Sequence, residues 1–185
     1  AMQMNKPEEA LTKSERVIDF LTGAKGFSVD LDNKVRAQVL LTKGRAFLSS
    51  GQENKAAEIF TELHLTYPRS DESAFSYLVE AYHHASGNRL DEAQRNLLRL
   101  ADGFKKSRYA PRALYEAALH LERRGMDENL KEGVDLLERL IQEYPDNELV
   151  FYARVRQANL LRRRNEFGSA LELCEQLLGN KLYRD

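Results

Sequence analysis

The sequence predicts an all-α fold, a superhelix of stacked antiparallel helix pairs with one extra helix at the N-terminal end. Three observations lead there. Small residues recur at fixed intervals: Gly44, Ala81, Ala118 and Ala158 fall 37, 37 and 40 residues apart, and Ala56, Ala93, Gly133 and Ala170 fall 37, 40 and 37 apart. Large residues keep that register, with Phe60, Leu97, Leu137 and Cys174 four residues after the second set and Leu63, Leu100, Leu140 and Leu177 seven after it. Spacings of zero, four and seven lie on one face of a helix, and a small residue there lets two helices approach closely. The helix breakers stand in the joints: Pro68 and Pro145 between units, Pro111 at a helix start and Pro7 near the N-terminus. Self-similarity at this period marks a solenoid of helix pairs.

Taken in order, residues 1–32 comprise an N-terminal tag remnant (Ala1-Met2), a leading helix and a linker. Leu11, Val17, Ile18 and Leu21 carry helical spacing over about 7–22, and Gly23-Ala24-Lys25-Gly26 breaks it. This helix is either a cap or the second half of an earlier unit. Asp32 reads as the N-cap of the next helix. Four repeats then occupy 33–70, 71–107, 108–146 and 147–185. In the first, one helix ends at Gly51 and the other at Tyr67-Pro68; in the second, Asp71 caps and Gly87-Asn88 turns. The third has Pro111 in its first turn and a longer hairpin from Gly125 to Leu130, which accounts for the 40-residue spacings. The fourth turns near Arg164-Asn165 and stops at Gly179, and its last residues, near Leu182-Tyr183, lack the turn residues that close the first and third repeats.

Composition narrows the function. Of 185 residues 42% are hydrophobic, enough for a core, and 31% are charged, as helical surfaces require. The 28 basic and 29 acidic side chains nearly cancel, so no overall field draws the chain to nucleic acid or an anionic membrane. The single cysteine, Cys174, cannot form an internal disulfide and falls in a core-facing slot as a small hydrophobe. No apolar run approaches the roughly 18–20 residues a bilayer span needs, and no signal peptide is visible.

Catalytic and metal-binding patterns do not emerge. His83 and His84 are adjacent and point about 100° apart on a helix, unlike the i, i+4 pair that shares a metal. Gly103-Phe104-Lys105-Lys106-Ser107 lacks the first glycine and the preceding strand of a phosphate loop. Carboxylates such as Glu58, Glu62, Glu132 and Glu138 sit at surface helix positions with basic partners three or four residues away. No Ser, Thr or Cys stands in a nucleophile context. The expectation is a protein that is not an enzyme, with no catalytic residues, cofactor or metal. Arg162-Arg163-Arg164 is the one sharp basic run and reads first as a solvated helix end.

The repeats resemble the tetratricopeptide repeat family. Its order of small, large, small, aromatic or apolar, and proline is filled by Gly44, Phe47, Ala56, Phe60 and Pro68 in the first unit and by Ala118, Leu121, Gly133, Leu137 and Pro145 in the third. The second unit has Ala81, His84, Ala93 and Leu97 with Lys105 in place of proline, and the fourth has Ala158, Leu161, Ala170 and Cys174. Two features depart from it. The family's tryptophan is replaced by Leu40, Tyr77, Leu114 and Arg154, and the period is 37–40 rather than about 34. The joints Tyr67-Pro68-Arg69-Ser70, Tyr144-Pro145-Asp146-Asn147 and Ser107 to Pro111 further resemble bacterial cell-envelope members such as the Tol–Pal coordinator and the outer-membrane assembly lipoprotein. That resemblance implies a periplasmic or cell-envelope location, with the cytoplasm as the alternative.

In this family the first helix of each unit lines a concave groove. The resemblance therefore implies a partner-binding groove of Gln38, Leu41 and Arg45; Phe75, Leu78 and Tyr82; Arg112, Tyr115, Leu119 and Arg123; and Tyr152, Asn159 and Arg163. Tyrosine and arginine dominate interface hot spots because they join contact area to directed hydrogen bonds. Phe75 and Tyr115 have a second reading, as packing between neighbouring first helices. The implied function is a non-catalytic scaffold or adaptor holding a protein or peptide partner in the groove, with no small-molecule substrate. A second reading is self-association through the last helix, where Leu173, Leu177, Leu178 and Leu182 form an uncovered face; a third and weaker one is RNA binding through Arg162 to Arg164.

Overall fold

A computed structural model describes residues 7–23 and 29–179, with side chains for 7–20 and 32–179. All regular structure among them is helical: α1 (Pro7–Gly23), α2 (Val29–Ser49), α3 (Glu53–Thr66), α4 (Asp71–Ser86), α5 (Leu90–Gly103), α6 (Ala110–Arg124), α7 (Asp127–Glu143), α8 (Leu149–Arg163) and α9 (Phe167–Gly179). The all-α solenoid of antiparallel helix pairs with a leading helix is the fold observed. Two compact units, Ala1–His83 and His84–Asp185, meet within α4.

In the first unit α1 packs on α2 and α2 on α3. The core is Ala37, Leu40, Leu41, Ala56, Phe60 and Leu63, with Phe47, Ile59, Tyr67, Phe75 and Val79 packed against it. The repeat's small position is filled by Gly44 for a steric reason: a Cβ there would come within 2.7 Å of Phe60 Cδ1. Asp32 does not cap α2, which begins at Val29; it lies inside the helix and accepts from Arg36 Nε at 2.9 Å. An aspartate four residues before an arginine also serves a helix interior, as half of an ion pair. Ala24, Lys25 and Gly26 of the expected breaker lie outside the described residues. At the next joint the capping oxygen belongs to Ser70 rather than Asp71, since Ser73 N donates to Ser70 Oγ at 3.0 Å. Ser73 is fully buried and its hydroxyl donates to Tyr67 O at 2.7 Å.

In the second unit each helix from α5 to α9 packs on the next, and α6 also touches α8. Ala93, Leu97 and Leu100 of α5 and Leu137 and Leu140 of α7 are wholly buried, in the slots that Ala56, Phe60 and Leu63 fill in α3. The turns use left-handed backbone: Gly125 has φ 74°, and Asn88 and Asn165 have φ 59° and 62°. Asparagine is among the few other residues that tolerate this region. Ion pairs stitch neighbouring helices: Arg124 to Asp91, Arg139 Nη1 to Asp102 Oδ1 at 2.7 Å, and Arg164 Nε to Asp127 Oδ1 at 3.0 Å. Tyr144 adds a hydroxyl bond to Lys105 O at 2.8 Å.

The last hairpin breaks the pattern. Ala170 keeps its buried slot, but Cys174, expected to face the core, is exposed. Its equivalent Leu137 lies on α7, which packs against both α6 and α8, whereas among the described residues α9 packs on α8 alone.

Candidate partner-binding surface

The expected groove residues fall on both units, and each set stands by itself. In the first unit Gln38 and Arg45 are exposed on α2. Leu41 and Leu78 are not available to a partner: they are 4% and 1% exposed and belong to the core. They occupy the same slot of their repeats, and a leucine there gains more by turning inward. Phe75 is half-buried against the core with the Arg45 guanidinium 5.9 Å from its ring centre, which favours the packing reading for this residue. Tyr82 is 37% exposed.

In the second unit the packing of α6 on α8 brings two rows side by side. Arg112 and Arg123 are exposed on α6, with Tyr115 and Leu119 half-buried between them, and Arg112 Nε lies 3.7 Å from Glu116 Oε1. On α8 Tyr152 is 56% exposed, set edge-on to Phe151 at 5.5 Å. Asn159 is exposed and donates from Nδ2 to Val155 O of its own helix at 3.2 Å. Arg163 is tied down: its Nη1 donates to Glu122 O at 3.2 Å, and the Glu122 carboxylate also holds Arg156 at 3.2 Å. Glu122 thus bridges two arginines of the following repeat. The expected solvated basic run is in part a joint between repeats, since Arg163 pairs with Glu122 and Arg164 with Asp127 and Glu166. Sequence reasoning missed Arg156; the signal was its spacing from Arg163 by one heptad, on the face toward α6.

The histidines do not converge. His64 stacks on Tyr77 at 4.1 Å and its Nε2 lies 2.6 Å from Ser76 Oγ, while His83 Nε2 lies 2.8 Å from Glu53 Oε1. His120 is buried, and its pKa is lowered first by that burial and further by Arg123 and Arg124, with Glu116 opposing. Among the described residues no group of three or more His, Cys, Asp and Glu could hold a metal ion, and no helix is long and apolar enough to cross a membrane.

A second exposed surface lies on the last hairpin. Leu178 is 73% exposed, as expected for an uncovered face, but Leu173 and Leu177 are half-buried against α8, and Leu182 lies outside the described residues. Two residues not anticipated, Phe167 at 61% and Leu171 at 62% exposed, complete the patch. With α8 residues including Val155 and Arg162 they line a cleft of about 740 Å³.

Residues 112–147 match a family model described as the tetratricopeptide repeat. The structure is similar to that of a Podosopora anserina protein described as having kinesin light chain nearly identical TPR-like repeats, with TM-score 0.56 and 16% identity over 92% of this chain and 84% of that one. It is also similar to a structure of MamA protein, with TM-score 0.51 and 18% identity over 94% of this chain and 97% of that one. These likenesses show the fold. No curated protein matches significantly. The cell-envelope reading rests on the tyrosine-proline joints alone, and none of these matches adds to it.

Proposed function

We propose that the chain is a non-catalytic scaffold whose first-helix surface takes a segment of a partner protein. A fold of tetratricopeptide type generally serves protein–protein interaction, and the single observation that points to a surface here is the α6–α8 face. There Tyr152 and Arg112 stand exposed, with Tyr115 half-buried on α6. A tyrosine held on a rigid helix gives a partner large contact area at little ordering cost. An acidic and aromatic segment, extended or helical, fits this pairing of tyrosine and arginine best.

The test is site-specific photocrosslinking in lysate of the source cells. A photoreactive residue at Tyr152 should trap a partner that the same residue at Glu132, exposed on α7, does not. Arg112→Glu with Tyr152→Ala should then weaken binding of that partner by at least about tenfold. Its melting temperature should fall only slightly, because both side chains are exposed and the Arg112–Glu116 pair is a surface one. Equal trapping at both positions, or full binding by the double variant, would sink the proposal.

A further inference from the structure

One slot of the repeat is filled in different ways along the chain. Two residues after Ala81, Ala118 and Ala158 stand His83, His120 and Leu160. Leu160 is fully buried, with Cδ1 3.1 Å from where a Cβ on Gly133 would sit, so the slot faces the second helix of the preceding repeat. His83 finds a charged partner there: its Nε2 lies 2.8 Å from the Oε1 of Glu53, the first residue of α3. The first residue of α5, thirty-seven on, is Leu90, whose side chain offers no acceptor. His120 is 4% exposed on α6, and its Nδ1 is buried without a hydrogen-bond partner among the described residues. Repeat register sets Ala93 and Gln94 of α5 opposite it, and α5 packs on α6. Gln94 is 7% exposed, and neither polar atom of its amide has a partner. A histidine thus stands in a leucine's place at the α5–α6 contact, and the helix across from it carries a second unsatisfied polar side chain.

A neutral imidazole in such a slot leaves a polar atom unpaired. An imidazolium leaves two N–H donors and a full charge, which costs far more. The charges that act on the ring stand on α6 itself: Glu116 favours its protonation, and Arg123 and Arg124 oppose it. Carboxylates of the neighbouring helices are engaged elsewhere, Asp91 of α5 by Arg124 and Asp127 of α7 by Arg164. Helix α8 carries arginines and no acid. Burial is the largest influence and holds the ring's pKa below the usual 6.5. The unfolded chain takes up this proton near the usual value and the folded chain only at lower pH. The stability at stake is therefore whole above that value and is lost as the pH falls below it.

We propose that the α5–α6 joint is a pH-sensitive latch, closed while His120 is neutral and loosened when protonation drives the ring to water. Histidine is the side chain whose charge changes near neutrality, and a buried one couples that change to a packing contact. Helix α6 also carries Arg112 and Tyr115, so loosening it in mild acid releases a partner held there. That consequence rests on the partner-binding reading, whereas the latch itself does not.

Urea unfolding of the full chain at about pH 7.5 and about pH 5.5, beside His120→Leu, tests the latch with no partner present. Between the two conditions the folded-to-unfolded ratio of the wild type should fall about three- to tenfold more than that of the variant. NMR titration of the wild-type His120 ring should place its midpoint below 6.5. Amide exchange in mild acid, corrected for the intrinsic rate, should rise in α5 and α6 before α2 and α3. An equal acid loss in the variant overturns the proposal. So does a ring that titrates at or above its usual value, or exchange that rises evenly along the chain.

Discussion

Two glycines fill small-residue slots of the repeat, Gly44 on a first helix and Gly133 on a second helix, and they differ in what surrounds them. A methyl at Gly44 would overlap the Phe60 ring, a rigid plane locked among Leu40, Ala56 and Leu63. At Gly133 the nearest atom is Leu160 Cδ1 at 3.1 Å, the end of a rotatable side chain that needs to give by only a few tenths of an ångström. Alanine in a helix interior gains about 1 kcal/mol over glycine, whereas overpacking a tight core costs about 1–3 kcal/mol. Gly44→Ala is thus expected to be the more destabilising by at least about 1 kcal/mol, with Gly133→Ala near neutral or stabilising. Urea unfolding of both variants measures the order, and equal effects would mean that the Phe60 ring yields as easily as a leucine methyl. The sequence aligned each of these glycines with alanines and did not show what packs against it. Their difference is a matter of which side chain lies opposite.

At the level of elements the ends of the helices were set by local contacts. Asp32 and Asp71 both looked like caps; one is inside α2 and the other follows the true cap, Ser70. The Ser70 oxygen satisfies one of the free amides at the start of α4, so Ser70→Ala should lose about 1 kcal/mol and Ser70→Gly only a few tenths. Thermal unfolding of the three proteins checks this, and an alanine variant as stable as wild type would show that Ser73 and the joint hold α4 without the cap. The same local competition explains Leu41 and Leu78. Repeat register put them on the groove, but burial in the first unit took them into the core, while the second unit's Tyr115 remains half-buried and its Val155 is 38% exposed.

At the scale of the whole molecule, stability within the second unit is a sum of neighbour contacts, because α5 to α9 each pack on the next in sequence. Leu137 is wholly buried in the second unit, and truncating such a leucine costs about 2–5 kcal/mol. Leu137→Ala should therefore raise amide exchange through α6, α7 and α8 while the Phe60 core of α2 and α3 keeps its protection. Uniform loss of protection along the chain would show one cooperative block instead.

The sequence by itself determined the all-α class, the hairpin period, the joints and the buried small-residue stripe, because helical periodicity and close helix approach are imposed residue by residue along the chain. Only the tertiary structure decided which side chains of that pattern face solvent. Leu41 and Leu137 are buried, and Cys174, in Leu137's own slot, is exposed, because burial depends on whether another helix lies across a face. That helix comes from another part of the chain, and one residue's identity carries no record of it.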